Sequence, residues 1–131
     1  MSTPPPDTDP FGQLYAAVGE AGFARLTAAF YRRVRADDLL APMYPDDDWD
    51  GAEARLRDFL VQRFGGPPRY SQARGHPRLR MRHAPFPIDR AARDRWMQHM
   101  TAALDEADLP PQATPPLLQF FDQVATFMMN R

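Results

Sequence analysis

Apolar residues recur along this chain at helical intervals. Phe23, Leu26, Thr27, Phe30, Tyr31 and Val34 fall at i, i+3, i+4, i+7, i+8 and i+11, the stripe of an amphipathic helix. A shorter stripe, Leu14, Tyr15 and Val18, precedes it and breaks at Gly19-Glu20-Ala21-Gly22. After a turn from Leu39 to Pro45, residues Ala52, Leu56, Phe59, Leu60 and Phe64 mark a second helix from about Asp50, capped by Asp48 or Asp50. Gly65-Gly66-Pro67-Pro68 ends it. Arg69 to His76 reads as an irregular connection. A short helix from Pro77 to His83 follows, after which Pro85 and Pro87 hold the chain extended. Asp89 caps a helix striped by Trp96, Met97, Met100, Ala103, Leu104 and Ala107. Thr114 caps the last helix, with Pro115 in its first turn and Leu117, Leu118, Phe121, Val124, Phe127 and Met128 on its buried side. No segment alternates with period two. The chain reads as all-α, with four long helices in two pairs joined by a short helix and loops.

Length confines this pattern to one domain: 131 residues bury one core. Residues 1–10 lack apolar periodicity and read as a flexible proline-rich tail, leaving 11–131 as the domain. A net charge of −1 gives no bulk attraction to nucleic acid or an anionic membrane. There is no cysteine, which excludes disulfides, thiolate ligation and cysteine nucleophiles. No apolar run approaches the ~18 residues of a membrane span, and the start lacks a secretory pattern, so a cytoplasmic location is expected.

Three histidines carry the candidate chemistry. His83 stands where a helix ends before Ala84-Pro85-Phe86, and is either a satisfied helix-end histidine or a metal ligand. His76 lies in a Gly-His-Pro loop, and His99 is placed opposite Trp96 among polar neighbours; both read as structural or solvated. The three do not share the spacing of a zinc set, so a metal held by side chains alone is not expected. One histidine in apolar surroundings suits a metal that brings its own equatorial ligands, as haem does. Tyr31, Tyr44 and Trp96 are inward-facing aromatics with polar tips, either core residues or donors around a ligand. Arg55, Arg80 and Arg82 are either solvated or paired with an anionic group. The acidic run Asp46-Asp47-Asp48 lacks the ligand spacing of a calcium loop, and no phosphate-binding glycine motif or nucleophile elbow is present.

With those residues in place, the chain resembles the group II truncated haemoglobins. The resemblance runs from Phe11 to the last helix. It rests on Phe30-Tyr31, Met43-Tyr44-Pro45, Gly51-Ala52-Glu53-Ala54-Arg55-Leu56-Arg57, Phe64-Gly65-Gly66-Pro67, the stretch Gly75 to Phe86, and Arg93-Asp94-Arg95-Trp96, in order and at the family's intervals. It implies a two-over-two helical sandwich around haem b. By resemblance, His83 is the proximal iron ligand, Tyr31 and Tyr44 are distal tyrosines, and Trp96 is the tryptophan diagnostic of the class. Ala52 stands where many globins carry a distal histidine, with Leu56 one turn on. Arg55 and Arg82 face the propionates, and Phe30, Phe59, Phe64, Met81 and Phe86 complete the expected cofactor contacts. The chain departs from the family in reading Gly19-Glu20 where a Gly-Gly pair is common, and in its proline-rich start.

What the resemblance implies for function is reversible binding of O2 and other diatomic ligands at a five-coordinate ferrous iron. Donors from Trp96, Tyr44 and Tyr31 would give high affinity through slow O2 release. The alternative is a haem redox enzyme, a nitric oxide dioxygenase or peroxidase-like protein, served by a separate reductase because the chain has no flavin or nicotinamide domain. A third class is a haem-free helical module that keeps only the fold. A monomer or a homodimer is expected.

Overall fold

In a computed structural model, which describes residues 13–131, the first two stripes lie on two helical stretches joined by a kink, together α1, Leu14–Arg35. The tail expected over residues 1–10 lies outside the described residues. The break in α1 is Gly19 alone, whose φ of 78° and ψ of 166° occupy a region open essentially only to glycine. The helix bends there and continues to Arg35. A 3-10 turn, Ala41–Met43, leads to α2, Trp49–Arg63. Then come α3, Arg69–Arg74, and α4, Leu79–His83. The long α5, Arg90–Ala107, and α6, Thr114–Phe127, follow, separated by a second 3-10 turn at Pro111–Ala113.

Helix α1 packs along both α2 and α5, and α5 along α6. The four long helices thus form the two pairs read from the sequence, α1 with α2 and α5 with α6, stacked through α1 and α5. Fully buried Phe23, Leu26, Phe30, Leu60, Phe64, Met100, Leu117 and Phe121 tie the pairs together. Each such side chain contributes roughly 1.5–3 kcal/mol relative to exposure. Phe64 stacks on Phe23 at 5.7 Å and meets Phe120 edge-on at 4.9 Å, so the end of α2 is wedged between α1 and α6. A backbone bond of 2.8 Å from Tyr15 N–H to the Phe64 carbonyl closes the same corner.

Several local expectations change. Residues 69–74 are a helix rather than an irregular connection, because tertiary contacts supply what six residues lack alone. Gln62 of α2 accepts from Ser71 N–H at 2.8 Å and donates to its hydroxyl at 2.7 Å, while buried Tyr70 meets Phe59 edge-on at 5.8 Å. Asp89 caps α5 as read, accepting from Ala92 N–H at 2.9 Å. Asp48 takes the cap position of α2 without capping, since its carboxylate pairs with Arg55 instead. Thr114 is already helical, and the preceding 3-10 turn leads into α6. At the last helix Leu117, Phe121 and Met128 are buried as expected, but Phe120 is buried too and Phe127 is 61% exposed.

His99 is also corrected. Three residues after Trp96 it lies only about 60° round the helix, so both face α1 and its end. The His99 Nε2 sits 2.6 Å from the buried Asp37 carboxylate. Arg95 reaches the same carboxylate at 2.9 Å, which also accepts from the backbone N–H groups of Leu39 and Leu40. Asp37 therefore locks the end of α1, the following turn and α5 in one network. Burial pushes its pKa up, but the hydrogen bonds from His99, Leu40, Arg95 and Leu39 outweigh that and hold it far below the ordinary carboxylate range.

Candidate functional site

Between the two helix pairs lies a cavity of about 610 Å³, inside the ~300–1,000 Å³ range of cofactor pockets. Helix α2 lines it with Ala52, Arg55, Leu56, Phe59 and Leu60, a helical i, i+3, i+4, i+7, i+8 face. Helix α1 contributes Tyr31, α5 contributes Ala92, Arg93 and Trp96, and α6 contributes Phe120, Phe121, Val124 and Ala125, with Met128 just past its end. The turn from Leu40 to Pro45 and the segment from α4 to Ile88 close the remaining sides. The wall is mostly apolar, and its polar groups form three sets.

The first is His83, on the cavity wall at the end of α4. Its Nδ1 lies 2.6 Å from the Leu79 carbonyl oxygen, one turn back. A carbonyl only accepts, so Nδ1 carries a proton, and whenever the ring is neutral its lone pair is at Nε2. That is the tautomer a metal ligand requires. Among the described residues no cluster of three or more His, Asp or Glu side chains is placed to hold a metal by itself. The donor set is one oriented imidazole in an apolar cavity, which fits a metal carried in its own macrocycle.

The second is an aromatic group across the cavity. Tyr31 and Tyr44 stand edge to face at 5.7 Å, and Tyr44 stacks on Trp49 at 5.0 Å. Buried Phe30 meets Tyr31 at 5.1 Å and Trp96 at 5.0 Å, so it holds the two cavity-lining rings from behind. Burial first, then the neighbouring Tyr44 hydroxyl, pushes the Tyr31 phenol well above its ordinary value. Burial raises Tyr44 as well, and its hydrogen bond with Tyr31 opposes this. Both phenols therefore stay protonated, and Tyr31 directs its hydrogen at the Tyr44 oxygen, which leaves the Tyr44 hydrogen to donate.

Four arginines, Arg55, Arg74, Arg82 and Arg93, line the wall against one carboxylate, Asp48. Arg55 donates to Asp48 at 2.7 Å over the face of α2 left clear by Gly51, where a Cβ would fall 2.1 Å from the Asp48 oxygen. Arg82 donates to the carbonyls of Pro77 at 2.9 Å and Arg74 at 3.2 Å, bracing the approach to α4. Arg93 pairs with Asp94 at 3.1 Å and with Asp122. The wall carries net positive charge beside an apolar interior, the complement of a flat apolar molecule with acidic substituents.

The bacterial-like globin family profile matches residues 13–130. This chain belongs to that family. Globins bind haem, and the oriented imidazole, apolar cavity and arginine-rich wall fit it. The globin is 37% identical to a group 2 truncated hemoglobin of Bacillus subtilis over 92% of this chain and 91% of that one. Its fold superposes on the hemoglobin of Chloroflexus aurantiacus with a TM-score of 0.88 at 48% identity, covering 91% of this chain and 98% of that one. A thermostable hemoglobin of Thermobifida fusca gives 0.86 at 50% identity, covering 90% and 97%. The truncated oxygen-avid haemoglobin of Bacillus subtilis gives 0.84 at 37%, covering 88% and 98%. The all-helical two-over-two fold of the truncated globins is thus the fold of this chain.

Of the residues singled out in the sequence, His83, Tyr31, Tyr44, Trp96, Leu56, Ala52, Arg55, Arg82, Phe59 and Phe86 line the cavity. Phe30, Phe64 and Met81 do not. Phe30 backs Tyr31 and Trp96, Phe64 fills the corner between α1, α2 and α6, and Met81 is 59% exposed on α4. Tyr70, Arg74, Ile88 and Arg93 line the wall without having been singled out. Tyr70 and Arg74 had no visible signal because their segment gave no helical pattern. Trp49, also not singled out in the sequence, supports Tyr44.

Proposed function

We propose that this globin holds haem b through His83 and takes up O2 and other small diatomic molecules reversibly. The observation that carries this is the His83 ring on the cavity wall, with Nδ1 committed to Leu79 and Nε2 left for a metal. Haem, when present, supplies a ferrous iron with one coordination position open to a diatomic molecule.

The chain's own residues do the rest. His83 Nε2 is the protein ligand, and the Leu79 carbonyl fixes the orientation of its ring. Leu56, Phe59, Phe86 and Val124 keep water from the interior. Arg55 and Arg82 are the proposed partners for the propionates, alongside their present bonds to Asp48 and the backbone. The Trp96 indole N–H and the Tyr44 hydroxyl, to which Tyr31 donates, are the donors to a ligand that gains negative charge. The small side chain of Ala52 leaves room for ligands to reach the centre. Together these favour high O2 affinity with slow release, and the oxygen-avid relative in Bacillus subtilis is similar over most of this chain.

A second reading is a redox enzyme that oxidises nitric oxide or uses peroxide with an external reductase. The contiguous oxidisable rings Tyr31, Tyr44 and Trp49 favour it. An absorption spectrum of the purified protein, followed by stopped-flow O2 binding and release, tests the first reading. A protein with no Soret absorption even after incubation with haem would contradict it. Sustained nitric oxide consumption with a cellular reductase would favour the second.

A further inference from the structure

The segment that carries His83 is held from outside its own helix by one residue 47 positions away. Asn130, just beyond α6, makes four hydrogen bonds to it. Its backbone N–H donates to the Ile88 carbonyl at 3.0 Å, and its Oδ1 accepts from Ile88 N–H at 3.0 Å. Its Nδ2 donates to the Phe86 carbonyl at 2.9 Å and to the His83 carbonyl at 3.3 Å. The partners fix the orientation of the amide: two carbonyls need a donor and one N–H needs an acceptor, so a flipped amide would lose three bonds.

The clasp adds a long-range tie to local hydrogen bonds that run within residues 74–86. Helix α4 has five residues, far below the length at which a helix stands alone, and it begins at Arg78 in the left-handed region, with φ 46°. Beyond it, Pro85 and Pro87 offer no N–H, and Phe86 and Met81 are exposed. The His83 carbonyl accepts from Phe86 N–H at 3.0 Å and from Asn130, so the backbone of the histidine is pinned directly.

We propose that Asn130 is a positioning residue for His83, fixing the height and tilt of its ring on the cavity wall. The proposal rests on the reading of His83 as the iron ligand. Asn130 is not among the residues that line the cavity, and it acts through the backbone of residues 83–88.

Two variants separate the parts. Asn130→Asp keeps an acceptor for Ile88 N–H but loses both side-chain donations to carbonyls. Asn130→Ala loses every side-chain bond. Amide hydrogen exchange at Ile88 is read on the haem-free protein, and the iron–imidazole stretching band and the rate of haem transfer to an acceptor globin on the loaded one. Leu117→Ala, in the core away from this segment, controls for general loss of stability. In Asn130→Ala we expect Ile88 exchange to rise roughly ten- to a hundredfold, as for the loss of one or two hydrogen bonds. In both Asn130 variants the iron–imidazole band should shift or broaden and haem transfer should quicken at least about tenfold, by the same reasoning. Leu117→Ala should leave the band in place.

Faster exchange with an unchanged band in both variants would make Asn130 merely structural and overturn the proposal. So would unchanged Ile88 exchange in Asn130→Ala, or the same band shift in Leu117→Ala. A wild-type protein that binds haem but shows no iron–imidazole band would instead overturn the reading of His83, and this inference with it.

Discussion

His83 Nδ1 lies 2.6 Å from the carbonyl oxygen of Leu79, four residues earlier in the same short helix. The contact selects the tautomer, because the oxygen accepts a proton that the ring can give only from Nδ1. It also converts a helix-end histidine, which the local sequence leaves ambiguous, into a ring whose other nitrogen is free for a metal.

Trp96 lines the cavity, and its ring packs on Phe30 at 5.0 Å and Phe121 at 5.8 Å. Trp96→Phe keeps most of that packing and removes the donor. A hydrogen bond to a group carrying negative charge is worth about 1.5–3 kcal/mol, so O2 release should quicken roughly ten- to a hundredfold. Stopped-flow displacement of O2 measures this directly. An unchanged release rate would remove Trp96 from the proposed donors.

Asp37 is a stability element with a defined pH signature. Its carboxyl is lowered from an ordinary value of 3.8 in the folded protein. The stabilisation is therefore complete above about pH 4, the value of the unfolded group, and is lost as the pH falls further through the folded value. Asp37→Asn should lower the unfolding free energy by about 2 kcal/mol at pH 7, for weakened bonds to a formerly charged acceptor. Urea unfolding of the two proteins should converge as the pH drops from 4 towards 2. A constant difference across that range would show that the charge of Asp37 does not matter.

Tyr31 should resist ionisation. Burial and the adjoining Tyr44 raise its phenol, so folding favours the protonated form. That preference is fully present below pH 10 and is lost as the pH rises through the folded value. Alkaline difference spectra of Tyr31→Phe and wild type should coincide near pH 10, where ordinary tyrosines titrate. A lost absorbance step at that pH would contradict the buried, protonated phenol.

Gly19 makes the kink that joins the two helical stretches of α1, each with its own apolar stripe. Its φ of 78° with ψ of 166° is strained for any side chain, although a Cβ at this position would meet nothing within 4 Å. Gly19→Ala should cost about 1–3 kcal/mol from backbone strain alone. Thermal unfolding measures it, and an unshifted midpoint would mean that the bend relaxes freely.

The long helices are legible because each buries a continuous stripe of 3.6-residue period, from Phe23 to Val34 in α1 as from Trp96 to Ala107 in α5. Helix α3 is not, because it is held by Gln62 and Tyr70 rather than by a pattern of its own. The resemblance names the cavity residues whose motifs it contains, such as His83, Ala52 and Trp96. It does not separate rings that line the cavity from rings that back it, as with Phe30 and Phe64, since both kinds are apolar and inward. The apolar residues of α6 are visible, but periodicity cannot tell a face packed on a helix from one facing a cofactor. Asp37 and Asn130 work through contacts across 62 and 47 residues, which no local pattern announces.

The most direct measurement is the Soret spectrum of His83→Gly after incubation with haem, with and without added imidazole. If His83 is the iron ligand, the variant retains haem weakly with a displaced band, restored towards the wild-type spectrum when free imidazole fills the gap. A variant that keeps haem as tightly as wild type, with an identical Soret band and no response to imidazole, would contradict that role.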